Sequence, residues 1–491
     1  MRRAFADAPV AALAFVAILA LAALAVGHGL VADDTLRLWA GASTAADGDI
    51  PFGRIVAGYP TLPFLTTTFV SWLAPAGAPA PALVAAALFA TIATYCFHVL
   101  RKSGFPNIAV AVVTPLIVLH PAMLRAIVAG PADMFLATFL LMLCIGLYNL
   151  RARSSASEVM TVGLALMALA FSHPVGAAVS FVSVAFLAFA VRPTLVAASA
   201  VNVTTALVFP TLFVVGSFTY VSWVFPGDGW SFFASPAQSL TAWTAAMSRV
   251  YGNGLFGIPT IDATLAMIAS FVVGAPVAVV ILALIHRRRP LVDPALVFAA
   301  TAISATAICV LTGFFGDPTA IMVAAPVLAA TVVIRAPIAR ERTVLVTALL
   351  ALGWFGGLFS LVLIDPLTVM RLPAALVPVA GERLDAVAAG AASASHDGVL
   401  ADTDNAPAFV LGHGGAHGIF GAQSEQFALA ALLSRIDAPF IAVPDPLSRT
   451  GANDRLDRAF PTLFRNGLAG YRIIYQNNTW RLFAKQQTAK S

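Results

Sequence analysis

The sequence predicts a polytopic helical membrane protein with a small α/β domain at its C-terminal end, and three observations carry that prediction. Of the 491 residues, 60% are hydrophobic and only 10% are charged, with a mean hydropathy of +0.90, a balance that excludes a soluble protein of this length. Apolar stretches of about 20 residues, enough to cross a hydrocarbon core of roughly 30 Å as a helix, recur until residue 364. From about Asp365 to Ser491 no such run occurs, and this segment carries 11 of the 28 basic residues.

Eleven apolar stretches are candidate spans, centred near residues 20, 90, 113, 142, 165, 183, 207, 272, 304, 327 and 353. The first runs from Pro9 to Val31, too long for the core of a signal peptide and without a small-x-small cleavage site before the acids that follow, so it reads as an uncleaved anchor. Short loops rich in Lys and Arg stay on the cytoplasmic side. The clusters Arg2–Arg3, Arg101–Lys102, Arg151 with Arg153, Arg192, Arg287 to Arg289, and Arg335 with Arg340 and Arg342 all fall where an eleven-span chain with a cytoplasmic N-terminus puts cytoplasm. The same rule places the C-terminal segment outside, in the periplasm of a bacterial-type inner membrane.

The pI of about 9.4 follows from those topology signals. No basic run is interleaved with aromatics in a soluble segment, which excludes a nucleic-acid partner. Cys96, Cys144 and Cys309 lie inside apolar spans and form no disulfide framework.

The strip from Asp33 to Leu65 holds the densest polar signal. Two adjacent carboxylates, Asp33 and Asp34, follow the first span, where charge is costly unless it is paired, solvated or used. Gly48 to Pro51 has turn chemistry and Tyr59 to Pro63 is a rigid break. The amphipathic stretch Thr35 to Ala46 and the apolar stretch Leu62 to Leu73, too short to span, read as interfacial helices on the outer face over about residues 33–75.

Asp33 and Asp34 are candidate general bases, because a carboxylate crowded by its neighbour and partly desolvated has a proton affinity closer to working pH. They equally suit a solvated helix terminus or cap. Asp133 follows Gly130-Pro131 and suits either an N-cap of the next span or a functional carboxylate. Arg37, Arg54, Arg125 and Arg249 are the cationic side chains of the outer loops and are candidates for binding an anion. Arg37 is also placed one turn from Asp33 for an i, i+4 pair.

In the C-terminal segment, Ala408 to Leu411, Phe440 to Val443, Tyr471 to Tyr475 and Thr479 to Phe483 have strand-like patterns. Ser424 to Ile436 is helix-like, and Gln476 to Asn478 fits a hairpin connection. The glycine-rich run Gly412 to Gly418 reads as a flexible strand-to-helix turn. The domain reading is therefore a transmembrane domain over 1–364 and a periplasmic α/β domain over 365–491.

Three segments resemble the GT-C superfamily of integral membrane glycosyltransferases, in particular the branch of aminoarabinose transferases and protein O-mannosyltransferases. Asp33-Asp34 with Gly48 to Pro51 and Tyr59 to Phe64 is similar to that family's acidic pair, G-D-x-x-P turn and proline-led interfacial helix. Asp133 in AGPADMFLATFL resembles its second outer acid, and Ser172-His173-Pro174 its K-G-P triplet, with His173 in place of the lysine. The doubled proline and its preceding lysine are absent near Tyr59.

The resemblance implies a GT-C-like fold that transfers a sugar from a polyprenyl-phosphate donor to an envelope glycan, lipid or protein acceptor. It casts Asp33, Asp34 and Asp133 as catalytic, with Arg37, Arg54, Arg125, Arg249 and His173 on the donor phosphate. If the reaction is metal-dependent, the three acids would hold Mg²⁺ or Mn²⁺. The contrasting expectation is a transporter or non-catalytic scaffold of envelope polysaccharide assembly. Transporters place polar groups near the midplane, whereas the carboxylates here lie at the ends of spans, which favours the enzyme.

Overall fold

The computed structural model describes residues 4–27, 31–47, 60–75, 78–153, 155–191, 193–224, 259–288, 293–312, 315, 318–365, 381–422, 424–433 and 436–486. The chain packs as two units. One comprises Met1–Ala23, Tyr59–Pro63 and Ala85–Pro373; the other comprises Leu24–Gly58, Phe64–Val84 and Ala374–Ser491.

The first unit is helical, and its helices mark a multi-pass membrane protein. Seven helices among the described residues are long and apolar enough to cross a bilayer. Two further pairs pass together but are bent, Asn107–Val118 with Pro121–Ala129 by 51° and Ile261–Gly274 with Pro276–His286 by 75°. Ala156–Ser172 and Pro174–Ala190 are shorter apolar helices of 17 residues, about 26 Å at the helical rise per residue. The eleven centres read from the sequence all fall within these elements. Exposed Leu13, Val16, Phe181, Phe209, Phe213, Phe355 and Phe359 suit contact with lipid, as in a bilayer no polar solvent penalises them.

Local chemistry sets the helix boundaries. Ser155 caps Ala156–Ser172, its hydroxyl accepting from the Glu158 N–H, as serine does at an N-cap. Two His-Pro steps start helices by one device. The Nδ1 atoms of His120 and His173 accept from the N–H groups of Ala122 and Val175, with Pro121 and Pro174 at the first helical position. Proline loses nothing there, because that N–H has no intrahelical partner. With Nδ1 as acceptor, each ring carries its proton on Nε2, an assignment made from the bonding pattern.

His120 uses that proton on the carbonyl of Gly353, 3.2 Å away. The approach depends on glycine, since a Cβ on Gly357 would lie 2.5 Å from the His120 ring. The break between the two halves of the bent Asn107–Ala129 pair is thus fastened to the Thr343–Ile364 helix.

Polar groups collect at opposite ends of the helices. On Pro131–Arg153, Asp133 lies in the first turn and Arg151 and Arg153 in the last, about 27 Å from Asp133 to Arg151 along the helix. At the arginine end, Arg335 donates to Asn149 (2.9 Å), Arg151 to the carbonyl of Val191 (2.9 Å) and Tyr148 to Asp293 (2.8 Å). The basic segments at Arg151 and Arg335 therefore sit together at one end of the Pro131–Arg153 helix.

The second unit contains a five-stranded sheet: β1 Val399–Leu400, β2 Ile419–Phe420, β3 Phe440–Pro444, β4 Tyr471–Gln476 and β5 Trp480–Lys485, in the order β2-β1-β3-β5-β4. The first three are parallel, and β5 is antiparallel to both β3 and β4. Successive side chains point to opposite faces. Ala442 joins Phe409 and Trp480 in one core, while Ile441 and Val443 join Phe427, Leu456 and Phe483 in the other. Phe409 stacks on Trp480 with ring centroids 5.0 Å apart.

One strand expectation is corrected. Ala408 to Leu411 belongs to the helix Pro407–His413, which has proline at its start and Gly414 (φ 94°) at its end. These termini are helix signals, and they outweigh the β-prone Phe409-Val410 pair.

Asp33–Ala46 is a helix of this same unit. Its Ala40 packs against Val410 and Ala416, and its Ala42 and Ala45 against Phe64. The Thr61–Leu73 helix, 13 residues long, spans about 20 Å and cannot cross a bilayer. Leu65, Phe69 and Trp72 form an exposed stripe along it, the apolar face expected of an interfacial helix.

Candidate functional site

Three positions singled out in the sequence, Arg125, Asp133 and His173, meet in the first unit. Arg125 lies in the short helix Pro121–Ala129, Asp133 in the first turn of Pro131–Arg153, and His173 at the junction of Ala156–Ser172 and Pro174–Ala190. Gly130, at φ 121°, makes the sharp turn that brings the first two together, a conformation that L side chains rarely adopt.

The Nη1 of Arg125 donates to Oδ2 of Asp133 at 2.6 Å, and the Nε2 of His173 lies 3.1 Å from Oδ1 of the same carboxylate. The Nε of Arg125 donates to Oδ2 of Asp365 at 2.9 Å, and its Nη2 donates to the hydroxyl of Thr319. The side chains of Arg125, Asp133, Asp365 and His173 are each only 9–11% exposed. Charges so far from water persist only when paired and hydrogen-bonded, and the planar guanidinium fork matches this spread of acceptors.

Arg125 lies midway along its nine-residue helix, and the other members sit at helix ends: Thr319 is in the first turn of the 3₁₀ segment Pro318–Val323, and Asp365 follows the Thr343–Ile364 helix. The cluster thus lies at the helix ends remote from Arg151, Arg153 and Arg335. Asp365 and Thr319 were not among the residues expected from the sequence. Asp365 stands where the apolar run ends and reads as the start of a tail, and a neutral threonine beside a proline carries no distinguishing signal.

The acid pair after the first span lies in the second unit. Asp33 is gripped on both oxygens by arginines, with Arg383 Nη2 2.6 Å from Oδ1 and Arg449 Nη2 3.1 Å from Oδ2. Arg383 also donates through Nη1 to the carbonyl of Val31 at 2.7 Å. At the far end of the helix, Oδ2 of Asp47 accepts from the Ala416 N–H at 3.0 Å. Asp34 and Arg37 are exposed. The expected Arg37 partner of Asp33 gives way to Arg383 and Arg449, which approach from the C-terminal segment. Arg54, Arg249 and the Gly48–Pro51 turn lie outside the described residues.

Both oxygens of Asp133 face cationic or N–H donors, as do both oxygens of Asp33. Among the described residues no group of three or more His, Cys, Asp or Glu converges on a common point, whereas hard cations want several convergent oxygens. Among the described residues, Asp33 and Asp133 therefore show no cluster of oxygens that would hold Mg²⁺ or Mn²⁺.

In the C-terminal domain, Asp402 is buried and held by Arg455 through Oδ1 at 2.7 Å and Oδ2 at 3.1 Å. Burial alone would raise its carboxyl, but these bonds, with one from Asn405, hold it below the ordinary aspartate value. Asp454 caps the helix Arg455–Ala459, its Oδ1 accepting from the Asp457 N–H, while its buried Oδ2 has no hydrogen-bond partner. Burial first, and the nearby Asp402 charge second, push it up to about 7 against that hydrogen bond. Within the glycine-rich run, His413 Nδ1 bonds to Ser393 Oγ at 2.8 Å and its Nε2 to the carbonyl of His417 at 3.1 Å, which makes that turn a fastened one.

A scan with protein-family models gives no match to this chain, and a comparison with curated proteins gives none either.

Proposed function

We propose that this protein is a membrane glycosyltransferase that moves a sugar from a polyprenyl-phosphate donor to an acceptor hydroxyl at the outer face of a bacterial-type inner membrane, with a GT-C-like core of eleven spans. The observation that carries the reading is the convergence of Arg125, Asp133 and His173, drawn from three separate helices, at the helix ends opposite the basic ones. These positions are the outer acid, an outer-loop arginine and the histidine of the Ser-His-Pro triplet that the resemblance singles out.

In this reading the acceptor oxygen attacks the anomeric carbon, the bond from that carbon to the phosphate oxygen breaks, and polyprenyl phosphate departs. The acceptor proton passes to a carboxylate base, the role for which the sequence offers Asp33 and Asp34. Guanidinium N–H groups of Arg125 stabilise the oxygen on which negative charge grows, the preorganised stabilisation that lowers such barriers. Asp133, engaged by Arg125 on one oxygen and by His173 on the other, aims the guanidinium and does not take the proton itself.

A scaffold without chemistry is the second reading. It is favoured by the mutual saturation of Arg125, Asp133 and Asp365, which alone would brace helix ends. Transfer from a panel of radiolabelled polyprenyl-phosphate sugars in reconstituted membranes separates the two. The enzyme reading expects label on an acceptor with wild type and loss of transfer with Asp133→Asn; no turnover of any donor by folded, lipid-binding protein supports the scaffold.

A further inference from the structure

We propose that the basic end of the first unit holds an anionic phospholipid, its headgroup phosphate gripped by Lys102, Arg340 and Arg342 and its acyl chain laid along the seam between Asn107–Val118 and Thr343–Ile364. The site lies wholly within that unit and stands whether or not the chain transfers sugar.

Basic segments far apart in sequence meet there. The helix Ala80–Lys102 ends in Arg101 and Lys102 and closes through Gly104, at φ 84°, whose N–H donates to the carbonyl of Arg101 at 3.2 Å. Arg340, from the short helix Pro337–Glu341, lies against that turn, where a Cβ on Gly104 would be 3.5 Å from its Nη1. Arg342 follows at the N-cap of Thr343–Ile364, a helix end that no side chain caps.

The charge of this patch is not neutralised from within. Lys102, Arg340 and Arg342 are exposed, and among the described residues none of them pairs with a carboxylate, whereas Arg125, Arg383 and Arg455 each do. Glu341 is the one acid between Arg335 and Arg342. A surplus of cations at the ends of membrane-spanning helices suits an external anion, and guanidinium N–H groups match phosphate oxygens in number and geometry. The N-terminus of Thr343–Ile364, beside Arg342, adds backbone N–H groups and the positive end of the helix dipole.

The adjoining surface selects a lipid over a soluble phosphate. Asn107–Val118 and Thr343–Ile364 run side by side in one direction from the patch: Arg340 lies against Gly104 near their start, and His120 meets Gly353 and Gly357 further on. Trp354 joins them, its indole N–H donating to the carbonyl of Leu119 at 2.8 Å. Ile108 and Val112 on one helix, and Val344 and Leu352 on the other, are exposed. Cations followed by bare hydrocarbon match a molecule that joins a phosphate to an apolar chain. In the orientation that the charge rule predicts this is the cytoplasmic leaflet, where basic pockets among helix ends recognise anionic headgroups.

The test titrates the detergent-solubilised full chain with phosphatidylglycerol, phosphatidylcholine or glycerol phosphate and counts bound molecules by native mass spectrometry. Wild type should bind phosphatidylglycerol about tenfold tighter than phosphatidylcholine; Arg340→Gln and Arg342→Gln should each weaken it about fivefold, and the two together about 25-fold. Added salt should reduce the preference. Arg340→Lys should keep most of the affinity because the charge remains, an outcome that packing of Arg340 on Gly104 does not require. Arg472→Gln, which removes an exposed charge from the C-terminal domain, should change nothing. A phosphatidylglycerol with a photoactivatable acyl chain should label residues 107–118 or 343–364.

Unfolding midpoints in phosphatidylcholine show that each variant is folded. Equal affinity of wild type for the two lipids, an unchanged preference in the folded double variant, or glycerol phosphate bound as tightly as phosphatidylglycerol overturns the proposal.

Discussion

The Nη1 of Arg125 stands 2.6 Å from Oδ2 of Asp133 with both side chains about nine-tenths buried, and the same guanidinium reaches Asp365 at 2.9 Å. One cation thus serves two buried carboxylates. Taking charges out of water costs several kcal/mol each, and the attraction between them offsets that cost only while all partners are present.

Arg125→Ala should destabilise the protein by about 3–5 kcal/mol, because it leaves Asp133 and Asp365 buried without their cation. Arg125→Lys should recover part of that loss, since a single ammonium cannot reproduce the fork that contacts Asp133, Asp365 and Thr319 together. Thermal unfolding in detergent, with the two variants side by side, measures both. Equal stability of Arg125→Ala and wild type would show that the ion pairs contribute nothing net.

The contact between His120 and Gly357 makes a packing prediction. A methyl group at 357 would lie 2.5 Å from the imidazole and 2.6 Å from its Nε2, so Gly357→Ala must displace the ring or the helix and should cost about 1–3 kcal/mol. Gly216→Ala is the control, as a Cβ there meets nothing within 4 Å; its effect should be stabilising or neutral, within about 1 kcal/mol. Unfolding midpoints of the two single variants decide the matter.

The C-terminal domain should lose stability as pH rises from about 4 to 7. Asp454 has a folded-state value of about 7, above its ordinary value of 3.8, so the folded state holds a proton that the unfolded chain has released. The stabilisation is fully present below about pH 4 and is lost as pH passes through 7. Asp402 works in the opposite sense, its contribution being present above the ordinary aspartate range and lost as pH falls below it. Asp454→Asn should remove the decline between pH 4 and 7. Exchange protection of residues 440–444, corrected for intrinsic rates across that range, reports it.

The orientation expected from the basic clusters can be tested directly. A cysteine at position 103, beside the Arg101–Lys102 cluster, should react with a membrane-impermeant maleimide only from the cytoplasmic side, while a C-terminal tag should be cleaved by protease added outside. Labelling of both from one side would contradict an odd number of crossings.

The helical core was legible because apolar run length is a local signal, and each of the eleven centres falls in a helix or a bent pair. Its bends were less so. The 51° break at Pro121 is packed through His120 against Gly357, 237 positions after that histidine, a pairing that no sequence window contains. Arg125, Asp133 and His173 stood out as polar groups among apolar neighbours, but their meeting with Thr319 and Asp365 is set by packing. The same holds for Asp33, whose partner in the sequence reading was one turn away and whose partners in the fold are Arg383 and Arg449. In the C-terminal domain the longer strands β3, β4 and β5 showed their periodicity. β1 and β2, two residues each, are too short to carry any.

The Arg125–Asp133–His173 cluster either serves sugar transfer or only braces helix ends. The direct measurement is the rate of transfer from a polyprenyl-phosphate sugar by wild type and by Asp133→Asn, with unfolding midpoints taken on the same preparations. Wild type should transfer sugar, and the variant should remain folded but lose about 100-fold or more in rate. Wild-type rates in Asp133→Asn, or no transfer by folded wild type with any donor, would contradict the transfer role.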